Sequence, residues 1–391
     1  MRAFFVSAEW KPKKEYQTTQ KEIETRIAYR ANMVYKNVKG ALTDRPVPEL
    51  KSGEVLLKIG ACGVCGTDVH ALELDEEGYT IYPEWLKFPL IMGHEMSGIV
   101  EEVSPAVKEL NKGDIVTVEE INWCGLCEPC RSGRPNQCAN MNHRGITMDG
   151  GFAEYIAVHE RYCWKINNIA EKFGDEKKAL EAGAMVEPCG VAYNGIIVQS
   201  GGIQPGGHVA IFGSGPIGQS AIALARTSGA ALIIVFEPNK ERQENAKLLG
   251  ADYVFDPHQL KNEGISPHEV IMDLTEGVGV ALCIEAAGVP QVNMPEIAQS
   301  LAVNGNVNII GLAKGLTPTD LVAFQTRGGH IHGSSGQAGH GIYPSIIRLI
   351  AAGRIDPTRA IAGRYPLDQA QQAIKKAPKQ AGKVLISAVL Y

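Results

Sequence analysis

His208-Val209-Ala210-Ile211-Phe212-Gly213-Ser214-Gly215-Pro216-Ile217-Gly218 reads as a short apolar strand that runs into a glycine loop and then into a helix. The helix is expected over Pro216 to Ser228, with Ile217, Ala221, Leu224 and Ala225 on one face. The pattern G-x-G-x-x-G carries little information alone. Between a strand and a helix it has the context that a dinucleotide loop requires. Its glycines permit a tight turn and let the backbone approach a pyrophosphate, which then meets the free N–H groups of the helix amino end. Gly213, Gly215, Pro216, Ile217 and Gly218 are the candidate loop residues. Glu237 closes the next strand, nineteen residues after Gly218, where a carboxylate accepts from the adenosine ribose hydroxyls and repels an added phosphate. That favours NAD over NADP, although Lys240 and Arg242 lie nearby in sequence, and Arg242 joins the candidate cofactor residues.

Outward from this stretch, strand and helix alternate. Ala231 to Phe236, Tyr253 to Phe255, Val280 to Ile284 and Val307 to Ile310 read as strands, and Asn239 to Leu249 as a helix. Repeated strand–helix units imply a parallel, doubly wound α/β sheet of the Rossmann type. This domain is expected over residues 189–333. Earlier in the chain, Glu54 to Ile59, Ile99 to Val103 and Ile115 to Val118 are short strands separated by Gly, Pro and Asn. A β-rich domain is expected over 1–188, completed by 334–391, which contains an amphipathic helix around Pro344 to Ala352. Glu9 to about Arg30 is polar, of mixed charge, and reads as a surface insertion or extra helix, with an oligomer contact or part of a substrate lid as the functional reading.

The 391 residues suffice for two domains. A hydrophobic content of 45% with 21% charged residues is that of an ordinary globular protein. The formal charge of −5 argues against nucleic acid as the main partner. No apolar run is long enough to span a bilayer, and the first residues lack the apolar core of a signal peptide, so a cytoplasmic protein is expected.

Of nine cysteines, Cys124, Cys127, Cys130 and Cys138 crowd into C-x2-C-x2-C-x7-C. Four thiolates on one short lobe suit a closed, tetrahedral structural zinc site; an iron–sulfur cluster is the other chemistry for such spacing. A second set is dispersed. Cys65-Gly66-Thr67-Asp68-Val69-His70 follows a strand, Gly93-His94-Glu95 precedes one, and Glu187 lies in Val186-Glu187-Pro188. Thiolate, imidazole and carboxylate are all zinc ligands, and three of them leave a position open for chemistry.

The order C-G-x-D-x-x-H, G-H-E, four-cysteine lobe, E-P and G-x-G-x-x-G resembles the zinc-containing medium-chain dehydrogenase/reductase family, in particular its sorbitol and polyol dehydrogenase branch. The resemblance implies a GroES-like catalytic domain beside the Rossmann domain, two zinc ions per subunit (one catalytic, one structural) and NAD. It places Cys65, His94 and Glu187 at catalytic-zinc positions with Glu95 beside the metal, one glutamate ligating while the other yields to water. Asp68 falls where the family orients the metal-bound histidine. Thr67 takes the substrate hydroxyl proton and His70 passes it on toward solvent; their bland readings are a helix cap and a solvated helix residue. The substrate implied is a secondary alcohol of a polyol or cyclitol, such as an inositol-derived scyllo-inosose, oxidised to a ketone in a homodimer or homotetramer. Tyr82, Trp85, Asn122, Gln337 and His340 are polar or aromatic loop residues suited to a ring rich in hydroxyls, with Gln337 and His340 favoured. The competing readings are a lyase or dismutase that retains NAD, a zinc-free quinone reductase, and a non-enzymatic zinc module.

Overall fold

The computed structural model describes residues 1–312 and 315–390. The chain forms two compact units, Met1–Glu187 with Ile361–Tyr391, and Pro188–Ala360.

In the second unit the strand and helix expectations hold closely. His208–Phe212 leads through the glycine loop into the helix Pro216–Thr227, and Leu232–Phe236, Tyr253–Phe255, Val280–Glu285, Leu301–Ile309 and His330–Gly333 supply the other strands. The six strands are all parallel, with the order 253–255, 232–236, 208–212, 280–285, 301–309, 330–333. In chain order this is 3-2-1-4-5-6, the doubly wound dinucleotide-binding arrangement. Ala210, Phe212, Ile234, Phe236, Cys283 and Val307 form the buried centre of the sheet with helix residues Met294 and Ile297. Nearly continuous apolar strands are what a sheet covered on both faces demands.

The first unit is built around a seven-stranded sheet ordered 163–165, 115–118, 95–103, 54–64, 383–387, 361–366, with Tyr155–His159 also paired to Glu54–Val64. A separate antiparallel sheet joins Tyr35–Asp44, Arg2–Trp10 and Leu90–Ile91. Phe4, Tyr35, Leu57, Met92, Met96, Phe152 and Ile386 belong to one buried core between these layers.

Two expectations change. The chain returns to the first unit at residue 361, not 334. The helix Ile342–Ala351 buries Ile342, Tyr343, Ile346, Ile347 and Ile350, and Ile342 packs beside Gly190 within the second unit. An apolar face can be read from sequence, but not the partner that covers it. The insertion contains the expected extra helix and a strand besides. Its first residues end a long strand at Trp10, Gln20–Thr25 is a short helix, and Ile27–Ala28 is a strand paired with Leu86–Lys87.

Candidate active site and metal centres

Three neighbouring strands bring the dispersed residues together. Glu54–Val64 ends one residue before Cys65, Glu95 opens Glu95–Val103 directly after His94, and Lys383 opens Lys383–Ser387. The registers pair Gly63 with Glu95 and Val64 with Val384. One ligand atom each from Cys65, His94 and Glu95 therefore falls within 4.8 Å of the others.

Local sequence fixes each member. Cys65 caps the helix Gly66–Leu72, and its backbone N–H donates to Asp68 Oδ2 at 2.8 Å. Thr67 is inside that helix, so it is not the cap. Gly93 has φ +90°, and a Cβ there would lie 2.6 Å from the Phe152 ring, so only glycine lets the chain turn His94 inward. A Cβ on Gly63 would lie 2.0 Å from Glu95 Oε2; the missing side chain is the space that the carboxylate occupies.

Glu95 divides its two oxygens. Oε1 accepts from the ammonium of Lys383 at 2.5 Å, with both side chains buried, while Oε2 is buried without a partner. His94 Nδ1 and Asp68 Oδ1 are also buried and unpartnered, 3.9 Å apart, which is longer than a hydrogen bond. Such orphaned atoms are costly unless something satisfies them. The electrostatics agree. Burial pushes the His94 imidazole down, yet Asp68, Cys65 and Glu187 together hold its pKa well above the usual value. Glu187 is buried, and burial followed by repulsion from Glu120 and Glu95 drives its carboxyl well up. An anion-rich, buried pocket with thiolate, imidazole and carboxylate donors fits a zinc ion. Glu187 is not among the three groups gathered within 4.8 Å, so of the two glutamates it is Glu95 that stands with Cys65 and His94.

The second set converges as well. Cys124, Cys127, Cys130 and Cys138 each offer a sulfur within 4.8 Å of the others. Backbone N–H groups of Leu126 and Cys127 donate to Cys124 Sγ at 3.4 Å and pull its thiol down to about 6. A thiolate at neutral pH is the ligating form.

His70 is half-exposed. Its Nδ1 lies 3.2 Å from Glu73 Oε2, and its backbone carbonyl accepts from Thr80 Oγ1. Thr67 Oγ1 is 3.8 Å from Cys65 Sγ. In the second unit, Gly213 has φ +93°, and a Cβ on Gly218 would fall 2.0 Å from Gly213 O. Both glycines are therefore required by the turn and the close helix–strand packing. Pro216 takes the first helical position after the cap Gly215, where its missing N–H costs nothing. Glu237 is buried, and its carboxylate accepts from the N–H groups of Ser214 at 2.7 Å and Asn239 at 2.9 Å. With Gly213, Gly215, Arg242, His258 and Asn293 it lines a cavity of about 890 Å³, ample for a nucleoside. Gln337 is buried, with its side chain against Gly190, whereas His340 is exposed at φ 51° just before the helix Ile342–Ala351.

Residues 51–168 match the alcohol dehydrogenase GroES-like domain, and residues 216–352 match the zinc-binding dehydrogenase domain. A scyllo-inosose 3-dehydrogenase from Thermotoga maritima is 38% identical, covering 96% of both chains. The chain belongs to the zinc-containing medium-chain dehydrogenase/reductase family. An L-threonine 3-dehydrogenase from Thermococcus kodakarensis is 32% identical over 88% of this chain and 90% of its own. A solved structure from Thermotoga maritima assigned as an alcohol dehydrogenase superposes with a TM-score of 0.94 at 37% identity, covering 99% of each chain. This family member is a dehydrogenase whose cofactors are zinc and NAD, with a GroES-like and a Rossmann domain. Among the described residues, no helix is long and apolar enough to cross a membrane.

One member of the site escaped the sequence reading. Lys383 had a single signal, a lysine opening the otherwise apolar stretch Val384-Leu385-Ile386.

Proposed function

We propose that this enzyme oxidises a secondary alcohol on a polyol or cyclitol, of the scyllo-inosose kind, to a ketone. The observation that carries the reading is the meeting of Cys65, His94 and Glu95 at the ends of adjacent strands, with buried oxygen and nitrogen atoms left unpartnered. The name of the Thermotoga relative supports the substrate class.

A zinc ion held by Cys65, His94 and Glu95 would supply Lewis acidity to a substrate oxygen, and NAD on the glycine loop would be the hydride acceptor. The chain does the rest. Asp68 fixes the backbone of Cys65 and faces the His94 imidazole. Lys383 holds one oxygen of Glu95, which leaves the other for the metal. Thr67 takes the proton from the substrate hydroxyl, and His70, whose half-exposed imidazole neighbours Glu73, passes it to solvent. Glu187 serves as the second carboxylate beside the ion. Gly213, Gly215, Pro216, Ile217, Gly218, Glu237 and Arg242 bind the dinucleotide, and Gln337 and His340 contact substrate.

The test is a panel of polyols, cyclitols, keto-cyclitols and L-threonine assayed for NADH formation, before and after zinc removal. A cyclitol or polyol giving one NADH per ketone, lost on chelation and restored by zinc, is the expected result. Turnover without free NADH would point to a lyase or dismutase; preference for threonine would overturn the substrate class. Thr67→Val should lower kcat at least about a hundredfold, and full turnover by that variant with both zinc ions bound would remove the relay.

We also infer a cytoplasmic homo-oligomer. Cys124, Cys127, Cys130 and Cys138 gather as a metal-ligand set rather than as disulfide pairs, which suits a reducing compartment. His330–Gly333 is an edge strand with Ile331 exposed, open to pairing with a second copy. Light scattering that shows a monomer would contradict this.

A further inference from the structure

Glu285 is the last residue of the strand Val280–Glu285 and is fully buried, yet the chemistry above gives it no task. Its carboxylate accepts from three neutral N–H groups: Gly288 N at 3.3 Å, Val289 N at 3.2 Å and Asn293 Nδ2 at 3.0 Å. A carboxylate in the interior is costly unless donors of this kind surround it. Gly311 makes the space, since a Cβ there would lie 2.6 Å from Glu285 Oε2. The backbone of the residue is held too, because Ile310 N and Gly311 N donate to Glu285 O at 3.0 and 2.9 Å.

What the carboxylate holds is one wall of the cofactor cavity. Ala286, Ala287, Val289 and Asn293 line the space of about 890 Å³ that Gly213, Gly215 and Glu237 also line. The same segment touches the dinucleotide loop, for a Cβ on Gly213 would fall 2.9 Å from Ala287 N and Cα. The segment has little to set its own conformation. Ala286, Ala287 and Gly288 carry no polar side chain, and Val289, which caps the helix Pro290–Ser300, has no oxygen to offer its amino end. Glu285 supplies an acceptor there, at the helix end where negative charge is favoured. A carboxylate only accepts, so it also decides which end of the Asn293 amide faces it and leaves Oδ1 as the atom that residue can offer a ligand.

We propose that Glu285 is a positioning residue for the cofactor, setting the wall 286–289 and the Asn293 amide before NAD arrives. This rests on the reading of the cavity as the dinucleotide site. A wall held in advance spares binding the freedom that ordering it would cost. Glu285 acts through backbone and amide, so its effect belongs to cofactor affinity and not to the hydride step.

The test uses the full-length, zinc-loaded enzyme. Glu285→Gln keeps the size of the side chain but turns one acceptor into a donor. The NAD dissociation constant from equilibrium titration and KM for NAD should both rise about tenfold. The value of kcat at saturating NAD should change less than about twofold, with zinc content intact. In the NAD-free variant, hydrogen exchange should rise at residues 286–293 and stay unchanged over His208–Phe212, and bound NAD should restore the protection. Ile297→Val, a core change in the same helix, controls for lost stability and should bind NAD as the wild type does. Asn293→Ala removes one donor from a half-buried position, which keeps the question open to test should Glu285→Gln not fold. It should give the same exchange signature at smaller amplitude, and unmoved exchange in it would contradict the proposal. Wild-type NAD affinity in Glu285→Gln, while Glu237→Gln alters cofactor preference, would overturn the proposal alone. So would weaker binding without faster exchange at 286–293, a loss confined to kcat, or equal weakening by Ile297→Val. An unchanged NAD-to-NADP preference in Glu237→Gln would instead remove the reading of the cavity, and this proposal with it.

Discussion

Glu95 and Lys383 show what one residue can cost. Their pair is fully buried, so deleting the ammonium leaves a carboxylate in a site already crowded by Asp68, Cys65 and Glu187. Lys383→Met should destabilise the metal-depleted protein by about 3–5 kcal/mol. The loss should be smaller with zinc bound, because the ion then satisfies the freed carboxylate. Urea unfolding with and without a chelator measures the difference. Glu237 makes a second prediction at this scale. It holds the backbone of its own loop through Ser214 and Asn239, so Glu237→Gln removes both the charge that repels a phosphate and one of two acceptors. The NAD-to-NADP preference, read as a ratio of kcat/KM values, should fall at least about tenfold. The grouping of Cys65 with His94 and Glu95, and of the four cysteines, was legible because thiol, imidazole and carboxylate occur in spaced motifs. Lys383 was not, since one lysine in a strand looks like any other until its neighbour across the sheet is known.

Among elements, the cysteine lobe and the Glu22 turn are held by polar centres rather than by apolar packing. The lobe leaves Leu126 81% exposed and has only a four-residue α-helix, Glu128–Arg131, and one 3-10 turn, Pro135–Gln137. Cys127→Ser should therefore release one zinc per chain and make residues 124–142 the first site of proteolytic cleavage, with the second metal retained. Glu22 gives a pH-dependent expectation. Burial raises its carboxyl, but the N–H groups of Thr19 and Tyr29 and the hydroxyls of Tyr16 and Thr19 outweigh this and hold it below the usual value. A lowered carboxyl stabilises fully above its unfolded pKa, about 4.3, and that contribution is lost as pH falls through the folded value. Hydrogen exchange at residues 19–29 should rise below about pH 4.3, and Glu22→Gln should flatten that dependence. Sequence showed the insertion's polarity but not its hub, because Tyr16, Thr19 and Tyr29 are brought to Glu22 by a turn that no periodicity announces.

For the molecule as a whole, the parallel sheet was readable strand by strand, since buried parallel strands are apolar runs with glycine punctuation between them. The unit boundary was not. Residues 334–360 carry an apolar helix that either unit could have covered, and packing beside Gly190 together with the Asn194 bond to Gly336 O assigns the segment to the second unit. Deleting residues 361–391 removes two strands of the seven-stranded sheet and Lys383 together. Zinc uptake at the Cys65 site should then be lost, while the Pro188–Ala360 unit keeps its own sheet; metal content and circular dichroism of the truncated chain report on the two. That strand topology also imposes a timetable during synthesis. The four cysteines leave the ribosome within fifteen residues of one another, so their ion can be captured while translation continues. The other centre draws on residues 65 through 383 and can be finished only when almost the whole polypeptide has emerged. A growing chain thus carries metal long before it can turn over substrate.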